Sequence, residues 1–180
     1  SQLALPDAEH IEFYPLEVLI SFLFAPTGKD SKQAKIRILE RMRDYFSSSI
    51  YRRLYFIPSH LSSRLSDPCM NINADSGVVT LLFPDNAQHF THVEVNNREF
   101  AETLYKHYYQ GVPLVHDALS LLDIAHQTLT TEHAAAEPWA ALQFFYQQCV
   151  LRTRYADWVR ECFNPDVQAL LHPKIYSDQA

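Results

Sequence analysis

Glycine is scarce in this chain, and that scarcity constrains its fold more than any other feature of the sequence. Only 3 of the 180 residues are glycine, where roughly 7% of a chain is usual, whereas 10 are proline. Gly28, Gly77 and Gly111 are widely separated, so no glycine-rich loop is available to hold a phosphate group. This excludes a Rossmann dinucleotide fingerprint, a P-loop and a Gly-x-Ser-x-Gly hydrolase turn. Many prolines with few glycines favour helices with sharp ends over a glycine-punctuated barrel or sandwich.

The charge balance argues against direct contact with DNA. The chain has 15 Lys and Arg residues against 21 Asp and Glu residues, which gives a net charge of -6 at pH 7. A protein that binds nucleic acid by releasing counterions needs a basic face. The run from Lys29 to Arg43 is locally basic, but runs of this kind are usually the solvated face of a helix. With 47% hydrophobic and 20% charged residues, the chain is expected to bury a core.

The cysteines and the apolar segments indicate the compartment. The three cysteines form no C-x-x-C pair, and their odd number argues against a disulfide framework, which predicts a reducing cytosol. The longest apolar stretch, residues 18–25, is far shorter than the ~20 residues that a membrane span requires. The first residues are acidic and lack the basic region of a signal peptide. We therefore expect a soluble, cytoplasmic protein.

The first third of the chain is predicted to be an irregular lead-in followed by two helices. Residues 1–14 show no clear period. Pro15 suits the first position of a helix over residues 16–24, which Pro26 stops. Asp30 or Ser31 caps a second helix, because apolar residues then recur every three or four positions. These residues are Ile36, Leu39, Met42, Tyr45 and Phe46.

The middle third changes period and predicts strands. Residues 51–57 are rich in aromatic and branched side chains and stop at Pro58. After a turn at residues 75–77, residues 78–83 form a continuous apolar run, and residues 90–95 then alternate between two faces. Continuous apolar runs are typical of strands covered on both faces, so we place residues 78–83 at the centre of the sheet.

The rest of the chain is predicted to be helical. One helix follows a cap at Asn96 or Asn97 and ends at Gly111. Further helices are expected over residues 113–129, from Pro138 to about Phe163, and over residues 167–171.

The predicted fold class is α/β, or α+β. A small mixed sheet of three to five strands from residues 50 to 96 is expected to be flanked by helices on both sides, with an all-helical C-terminal third. Residues 1–130 would form the α/β unit. Residues 131–180 would form a helical extension that packs on this unit or on a second subunit.

Aromatic residues provide the candidate ligand contacts. The chain has 11 Phe, 10 Tyr and 2 Trp residues, and most are expected to fill the core. A few aromatic and basic residues fall on two predicted strands and on the helix after them, where they could wall a pocket with polar handles. The candidates are Arg53, Tyr55, His92, Tyr105, His107 and Tyr108.

Two other chemistries find weaker support in the sequence. The pair His116-Asp117 is similar to the paired ligands of HD-type phosphohydrolases, but only His126 and His133 lie nearby to complete a metal site. We interpret Asp117 instead as a residue that caps or solvates the start of its helix. We expect no metal and no cofactor.

No cysteine nucleophile is expected. Cys149 and Cys162 fall on apolar helix positions, where burial makes a thiol inert. Cys69 follows Pro68 in a predicted loop, where it would be the one exposed thiol. No histidine can be placed beside it as a base.

The segment from Tyr14 to Thr130 carries a pattern of six successive motifs. These are Tyr14-Pro15-Leu16, Ser31 to Phe46, Arg53-Leu54-Tyr55-Phe56-Ile57, Val78 to Phe83, Val93-Glu94-Val95, and Arg98 to Leu114. Together they resemble the C-terminal regulatory region of bacterial helix-turn-helix transcription regulators of the lambda-repressor-like (Xre) class. The resemblance covers about two-thirds of the chain, and the helical residues after Thr130 have no counterpart in it.

The resemblance implies a sensory or dimerising domain that follows a DNA-reading domain. We therefore expect a non-catalytic ligand-sensing and dimerisation domain of a transcription regulator, with a small-molecule effector. DNA would be reached only through a separate helix-turn-helix domain, since this chain contains none. The alternatives are a small metal-dependent hydrolase or nucleotide-acting enzyme that uses His116 and Asp117, and a plain protein-interaction adaptor.

The helix predicted from Pro138 to Phe163 is the candidate dimer contact. Its apolar residues extend around more than half of the circumference, which is wider than the ~100° stripe of a helix that packs on one core. Either the second face packs on the same helix of another copy across a two-fold axis, or the helix is buried within its own monomer. The candidate interface residues are Trp139, Phe145, Tyr155 and Trp158.

Overall fold

A five-stranded mixed sheet is the centre of the computed structural model, which describes residues 5–24, 31–57, 69–84, 90–111, 117–131 and 137–171. The strands are β1 (His10–Pro15), β2 (Arg52–Ile57), β3 (Cys69–Asn73), β4 (Val78–Pro84) and β5 (Phe90–Asn96). Their spatial order is β2-β1-β3-β4-β5. Strands β1 and β2 are parallel, and the other neighbouring pairs are antiparallel. The predicted α/β fold with three to five strands is confirmed.

Seven helices flank the sheet within the described residues. They are α1 (Leu16–Phe24), α2 (Ser31–Ser47), α3 (Arg98–Gly111), α4 (Ala118–Thr130), α5 (Pro138–Arg152), α6 (Ala156–Glu161) and α7 (Pro165–Leu170). The predicted cap of α3 is confirmed, because the Asn97 side-chain oxygen accepts a hydrogen bond from the Phe100 N–H at 3.0 Å. The start predicted for α4 at residue 113 lies outside the described residues.

Strand β1 corrects the prediction of an irregular lead-in. Ile11 and Phe13 are fully buried on one face of this strand, whereas His10, Glu12 and Tyr14 alternate with them on the other. This alternation is the period of a half-buried strand. A six-residue strand is stabilised only through its neighbours, and β1 is paired on both sides, with β2 and with β3.

Strand β3 was also missed, and it changes the centre of the sheet. We predicted no strand between residues 57 and 78, yet β3 is the middle strand of the five. The prediction that Cys69 lies exposed in a loop is wrong, since Cys69 begins β3 and is only 6% exposed. The prediction that residues 78–83 are central and fully covered is wrong as well. Strand β4 is fourth in the order, Val79 is its one fully buried residue among those described, and Phe83 is exposed.

The predicted turn at residues 75–77 is confirmed as the link between β3 and β4. The Asn73 side-chain oxygen accepts hydrogen bonds from the N–H groups of Asp75 and Ser76, both at 3.1 Å. Gly77 has a φ of 73°, and a Cβ placed there would lie 3.0 Å from the backbone of Arg98 at the start of α3. Only glycine combines this backbone conformation with so close an approach.

The two faces of the sheet carry separate cores. On the face that we call the α3 face, the core contains Phe13, Tyr55 and Ile72 from the strands and Tyr105 from α3. The opposite face, which we call the helical face, is covered over β2 by α1, α2 and the helices after residue 117. Residues from before and after position 130 share this second core, so the predicted helical extension packs on its own α/β unit.

The prediction of one helix from Pro138 to about Phe163 is wrong, because the chain breaks between α5 and α6. The Thr153 hydroxyl donates to the Cys149 carbonyl at 2.9 Å and accepts from the Tyr155 N–H at 3.0 Å, which turns the backbone out of the helix. The break directs Tyr155 inward. Its hydroxyl donates to the backbone carbonyl of Phe56 at 2.7 Å.

Burial also corrects two of the predicted dimer residues. Phe145 and Tyr155 are both 0% exposed inside the chain's own core and have no surface to offer to a second copy. Trp139 and Trp158 are half-buried and pack against the same core. Deep burial within the monomer therefore accounts for the wide apolar circumference of this region.

Removing the Tyr155 hydroxyl tests how strongly the C-terminal helices are bound to the sheet. We expect Tyr155→Phe to lower the free energy of unfolding by about 1–3 kcal/mol, since the buried Phe56 carbonyl loses its donor. Urea denaturation at pH 7 measures the change. Tyr51→Phe is the control, because Tyr51 is exposed and is expected to change stability by less than ~0.5 kcal/mol. Equal losses in both variants would contradict the role of this hydrogen bond.

Candidate functional site

The candidate functional site is a cavity of about 480 Å³ at the start of β2. Three elements meet there: the C-terminal end of α2 with the turn after it, the first half of β2, and the first turn of α4. The lining residues are Phe46, Ser47, Ser49, Ile50, Arg52, Arg53, Leu54, Tyr55, Ala118 and Leu119. A cavity of this size that combines an apolar wall with a few polar groups has the composition of a small-molecule site.

Arg52 is held in place at the mouth of this cavity. Its guanidinium lies over the Tyr45 ring, with 4.2 Å from Cζ to the ring centroid, and Nη1 donates to the Ser48 hydroxyl at 2.9 Å. Its Nε lies 3.7 Å from a carboxylate oxygen of Glu9, which is 55% exposed. A cation fixed by stacking and hydrogen bonding loses little further freedom when an anion binds to it. Arg52 is therefore a preorganised anion contact.

The end of α2 shapes the same wall. The Ser48 hydroxyl donates to the Tyr45 carbonyl at 2.9 Å, and the Ser47 hydroxyl lies 3.4 Å from the Asp44 carbonyl. The Asp44 carbonyl also accepts the backbone N–H of Ser48 at 3.1 Å, so side-chain hydroxyls and one backbone N–H together supply donors to the last carbonyls of the helix. The serines at residues 47–49 thus both close the end of α2 and bring hydroxyl groups to the cavity.

Leucine and isoleucine side chains leave the mouth of the cavity partly apolar. Ile50 is 82% exposed, and Leu119 at the start of α4 is 39% exposed. Exposed apolar side chains beside fixed charges are typical of a site for an amphipathic molecule. The arrangement can bind an anionic group at Arg52 and cover an apolar body.

The six predicted ligand contacts fall in three separate places. Arg53 lines the cavity, and Tyr55 borders it, although the Tyr55 ring is 0% exposed and stacks on Phe13 in the core of the α3 face. Tyr105 and Tyr108 belong to the core of the α3 face, where their rings lie 6.1 Å and 5.7 Å from the ring of Phe13. His107 is exposed on α3, and His92 is exposed on β5, at the opposite edge of the sheet. The prediction that all six residues form one pocket is therefore wrong.

Arg52 was missed as a candidate, although the sequence contains a signal for it. Two adjacent arginines follow the serine run and open an apolar strand. Successive residues of a strand point to opposite faces, which suggests that only one of the pair can face a pocket. The cavity is at the outer edge of β2, so residues from both faces of the strand line it.

Asp117 takes part in a contact other than those predicted for it. It does not cap its own helix, since its side chain accepts no hydrogen bond from the first turn of α4. Its carboxylate accepts from the Arg154 N–H at 2.8 Å, in the break before α6. His116 lies outside the described residues. Among the residues that the structure does describe, no three His, Cys, Asp or Glu side chains are arranged to hold a metal ion.

A second polar cluster lies on the helical face of β1 and β3. The Glu12 carboxylate is 2.9 Å from His10 Nε2 and accepts from the Tyr14 hydroxyl at 2.8 Å. When the amide of Asn71 is oriented to donate, its nitrogen is 3.1 Å from the same carboxylate. The signal for this cluster was the spacing of residues 10, 12 and 14, which alternate along a strand that we had not predicted.

Burial beside Glu12 suppresses ionisation in this cluster. Desolvation and the neighbouring carboxylate raise the pKa of the Cys69 thiol to about 11. The same two causes raise the pKa of Tyr14 above its usual value. Burial likewise raises the pKa of Cys149, in the core of the helical face. Because the thiolate is the reactive form, Cys69 and Cys149 are unsuited to nucleophilic catalysis at neutral pH.

Comparisons with known proteins find no relative of this chain. No family model matches the chain, and searches of the curated proteins and of the solved structures find no significant match. The resemblance to Xre-type regulators therefore stays a prediction. No helix among the described residues is long and apolar enough to cross a membrane.

Thiol labelling tests the burial and pKa of the cysteines. At pH 8 we expect iodoacetamide to modify Cys162 first, because it is half-buried, whereas Cys69 and Cys149 are buried. A pKa of about 11 gives Cys69 on the order of a hundredfold less thiolate than a thiol at its ordinary value. Peptide mapping by mass spectrometry after timed labelling measures the three rates. Alkylation of Cys69 as fast as Cys162 in the folded protein would contradict this assignment.

Proposed function

We propose that this chain is a non-catalytic ligand-sensing domain of a transcription regulator that acts as a homodimer. Its effector is a small amphipathic anion, bound in the cavity at the start of β2. A separate helix-turn-helix domain reads DNA. The observation that carries the ligand half of the proposal is the Arg52 guanidinium, fixed at the mouth of a 480 Å³ cavity.

The chemistry of the lining favours an anion with an apolar body. Phe46, Leu54 and Leu119 supply apolar contact area, and Arg52 supplies a fixed positive charge. A planar guanidinium matches a carboxylate or phosphate through paired hydrogen bonds. An anionic group of the ligand competes with the Glu9 carboxylate, now 3.7 Å from Arg52 Nε, so binding replaces one contact of Arg52 and leaves the exposed Glu9 carboxylate to solvent.

The position of Glu9 provides a route by which the ligand is sensed. The Glu9 N–H donates to the Tyr51 carbonyl at 2.7 Å, so the segment that enters β1 is attached to the turn that lines the cavity. A ligand that displaces the Glu9 side chain from Arg52 alters this attachment. The resemblance puts the DNA-reading domain on the N-terminal side, which is the side where the change occurs.

The resemblance supports the regulator half of the proposal. Its six segments correspond to the β1–α1 junction, α2, β2, β4, β5 and α3. We expect the reading frame upstream of Ser1 to encode a helix-turn-helix. Sequencing the gene tests this, and an upstream region that encodes no such motif would contradict the regulator assignment.

No specific observation favours a metal-dependent hydrolase. The Asp117 carboxylate, which that alternative requires as a metal ligand, accepts a hydrogen bond from the Arg154 N–H in the segment before α6. An interaction adaptor was expected if the chain lacked a pocket, and the cavity favours ligand binding over that alternative.

Ligand-induced stabilisation tests the cavity. Benzoate serves as the anionic probe and benzyl alcohol as its neutral counterpart. We expect benzoate to raise the melting temperature of the protein and benzyl alcohol to leave it unchanged. A probe at 100 times its Kd stabilises the folded chain by about 2.7 kcal/mol. Arg52→Gln is expected to remove most of the benzoate shift, because the anion loses its fixed partner.

Arg98→Gln is the matched control, since Arg98 is an exposed arginine at the start of α3, outside the cavity. It should keep the benzoate shift. Equal shifts in the Arg52 and Arg98 variants, or equal shifts with benzoate and benzyl alcohol, would refute an anion site at Arg52. The comparison uses the ligand-induced shift of each variant, so a change in its basal stability does not affect the result.

A further inference from the structure

The two edges of the sheet differ in how they are covered. At one edge, the Phe56 carbonyl of β2 accepts the buried hydroxyl of Tyr155, and α4 packs beside the strand. At the other edge, β5 pairs only with β4, and no described element pairs with its outer side. Thr91, His92, Val93 and Glu94 are all exposed. An open strand edge presents unpaired backbone N–H and C=O groups that can pair with another strand.

The sequence of β5 has few of the features that usually protect an open edge. Proteins prevent edge-to-edge pairing with proline, charged side chains (lysine above all), bulges or very short edge strands, and Glu94 is the one acidic or basic residue of β5 apart from His92. Strand β5 reads Phe-Thr-His-Val-Glu-Val-Asn over seven residues and contains neither proline nor lysine. Three of these residues are β-branched, which favours the extended conformation. The edge is therefore suited to pairing and not protected against it.

We propose that β5 pairs with β5 of a second copy of this chain, antiparallel and centred on Val93. The two five-stranded sheets then form one continuous sheet of ten strands across a two-fold axis. This inference rests on the homodimer of the proposed function, and it requires neither a ligand nor the cavity.

Complementarity between imidazole and carboxylate side chains fixes the register. In an antiparallel pair centred on Val93, His92 of each copy stands opposite Glu94 of the other, and the two-fold axis makes this contact twice. An imidazole N–H can donate a hydrogen bond to a facing carboxylate, whereas like charges at facing positions destabilise a strand pair. A centre on Glu94 would oppose two carboxylates, and a centre on His92 would oppose two imidazoles. Centring on Val93 is the register that pairs each histidine with a carboxylate.

The apolar face of the strand agrees with the same register. Val93 pairs with Leu81 of β4 within the chain, and Thr91 pairs with Phe83. Val93 is 39% exposed and Phe83 is 37% exposed, so the apolar surface of the sheet continues to its open edge. A second copy places Val93 against Val93 and covers this surface, which one chain leaves in water.

Charge variants of β5 test the pairing by analytical ultracentrifugation of the full 180-residue chain. We expect a dimer of about twice 20.9 kDa at micromolar concentration. His92→Glu creates two carboxylate pairs across the axis and should raise the dimer dissociation constant about tenfold or more. The double variant H92E/E94H exchanges the two groups and should restore dimerisation. His107→Glu makes the same change of charge at an exposed histidine on α3 and should leave the dimer unchanged.

Crosslinking gives a second, independent readout. Residues at the centre of an antiparallel pair have Cα atoms about 4.5–5.5 Å apart, within the range that a disulfide spans. Val93→Cys should therefore form a disulfide-linked dimer under mild oxidation, whereas Val150→Cys, at an exposed position on α5, should not.

Several results would overturn the proposal. These are a monomer at 100 μM, a dimer that H92E does not weaken, a double variant that does not recover, and a dimer that Val93→Cys does not crosslink. Failure of benzoate to bind would count against the proposed effector site and leave this interface intact. A dimer that survives all the β5 changes would place the contact on another surface and refute the interface but not the homodimer.

Discussion

The hydrogen bond from the Tyr155 hydroxyl to the Phe56 carbonyl is the contact on which the arrangement of the helical face depends. It satisfies a carbonyl at the outer edge of β2 that would otherwise be buried without a donor. Burial raises the pKa of Tyr155 well above its ordinary value, so the hydroxyl keeps its proton and remains a donor at neutral pH. The break between α5 and α6 is what allows the ring to reach the strand, because one continuous helix could not direct this residue inward.

A network of charges around Asp123 joins the helices that cover this edge. The Asp123 carboxylate accepts from Arg152 of α5 at 2.7 Å and from Arg43 of α2 at 2.9 Å, so one residue of α4 joins both neighbours. The Arg152 hydrogen bond, and then that of Arg43, holds the pKa of Asp123 below its ordinary value. Its stabilising effect is therefore present at neutral pH and is lost as the pH falls through the acid range. About a third of each side chain is exposed, so solvent screens the network, and apolar packing remains the larger contribution.

The elements that the sequence predicts correctly are those whose ends are marked by residues that start or stop a helix or a strand. Pro15 marks the start of α1, Asn97 caps α3, and apolar runs that end at proline identify β2 and β4. Strands β1 and β3 were missed because each depends on its partners. Strand β3 contains two asparagines in five residues, a composition of low strand propensity, yet it pairs on both sides and becomes the middle strand.

The candidate site was predicted in part, for a related reason. Arg53 and Tyr55 were candidates because they fall on an aromatic strand; both border the cavity, but the Tyr55 ring is buried in the core of the α3 face. Arg52 was not identified, because its role depends on where the end of α2 places Tyr45 and Ser48. The Thr153 break was hidden in the sequence by apolar residues that continue on both sides of it. The position of Arg52 and the break at Thr153 depend on contacts between segments that are distant in the sequence. The local spacing of apolar residues does not reveal such contacts.

The placement of the cavity and of the open edge constrains how a ligand could regulate this protein. The cavity lies at the β2 edge, and β5 lies at the opposite edge with three strands between them. Those strands are hydrogen-bonded throughout, and the stacked rings of Phe13 and Tyr55 pack tightly on the α3 face. A packed sheet of this kind resists small continuous changes in shape. We therefore expect that ligand binding at Arg52 does not alter the proposed strand pairing at Val93. The segment at Glu9, in contrast, is in direct contact with Arg52 and with the turn at Tyr51. We therefore propose that the ligand acts by reorienting the segment that precedes β1 within the proposed dimer, and not by assembling or separating the two copies.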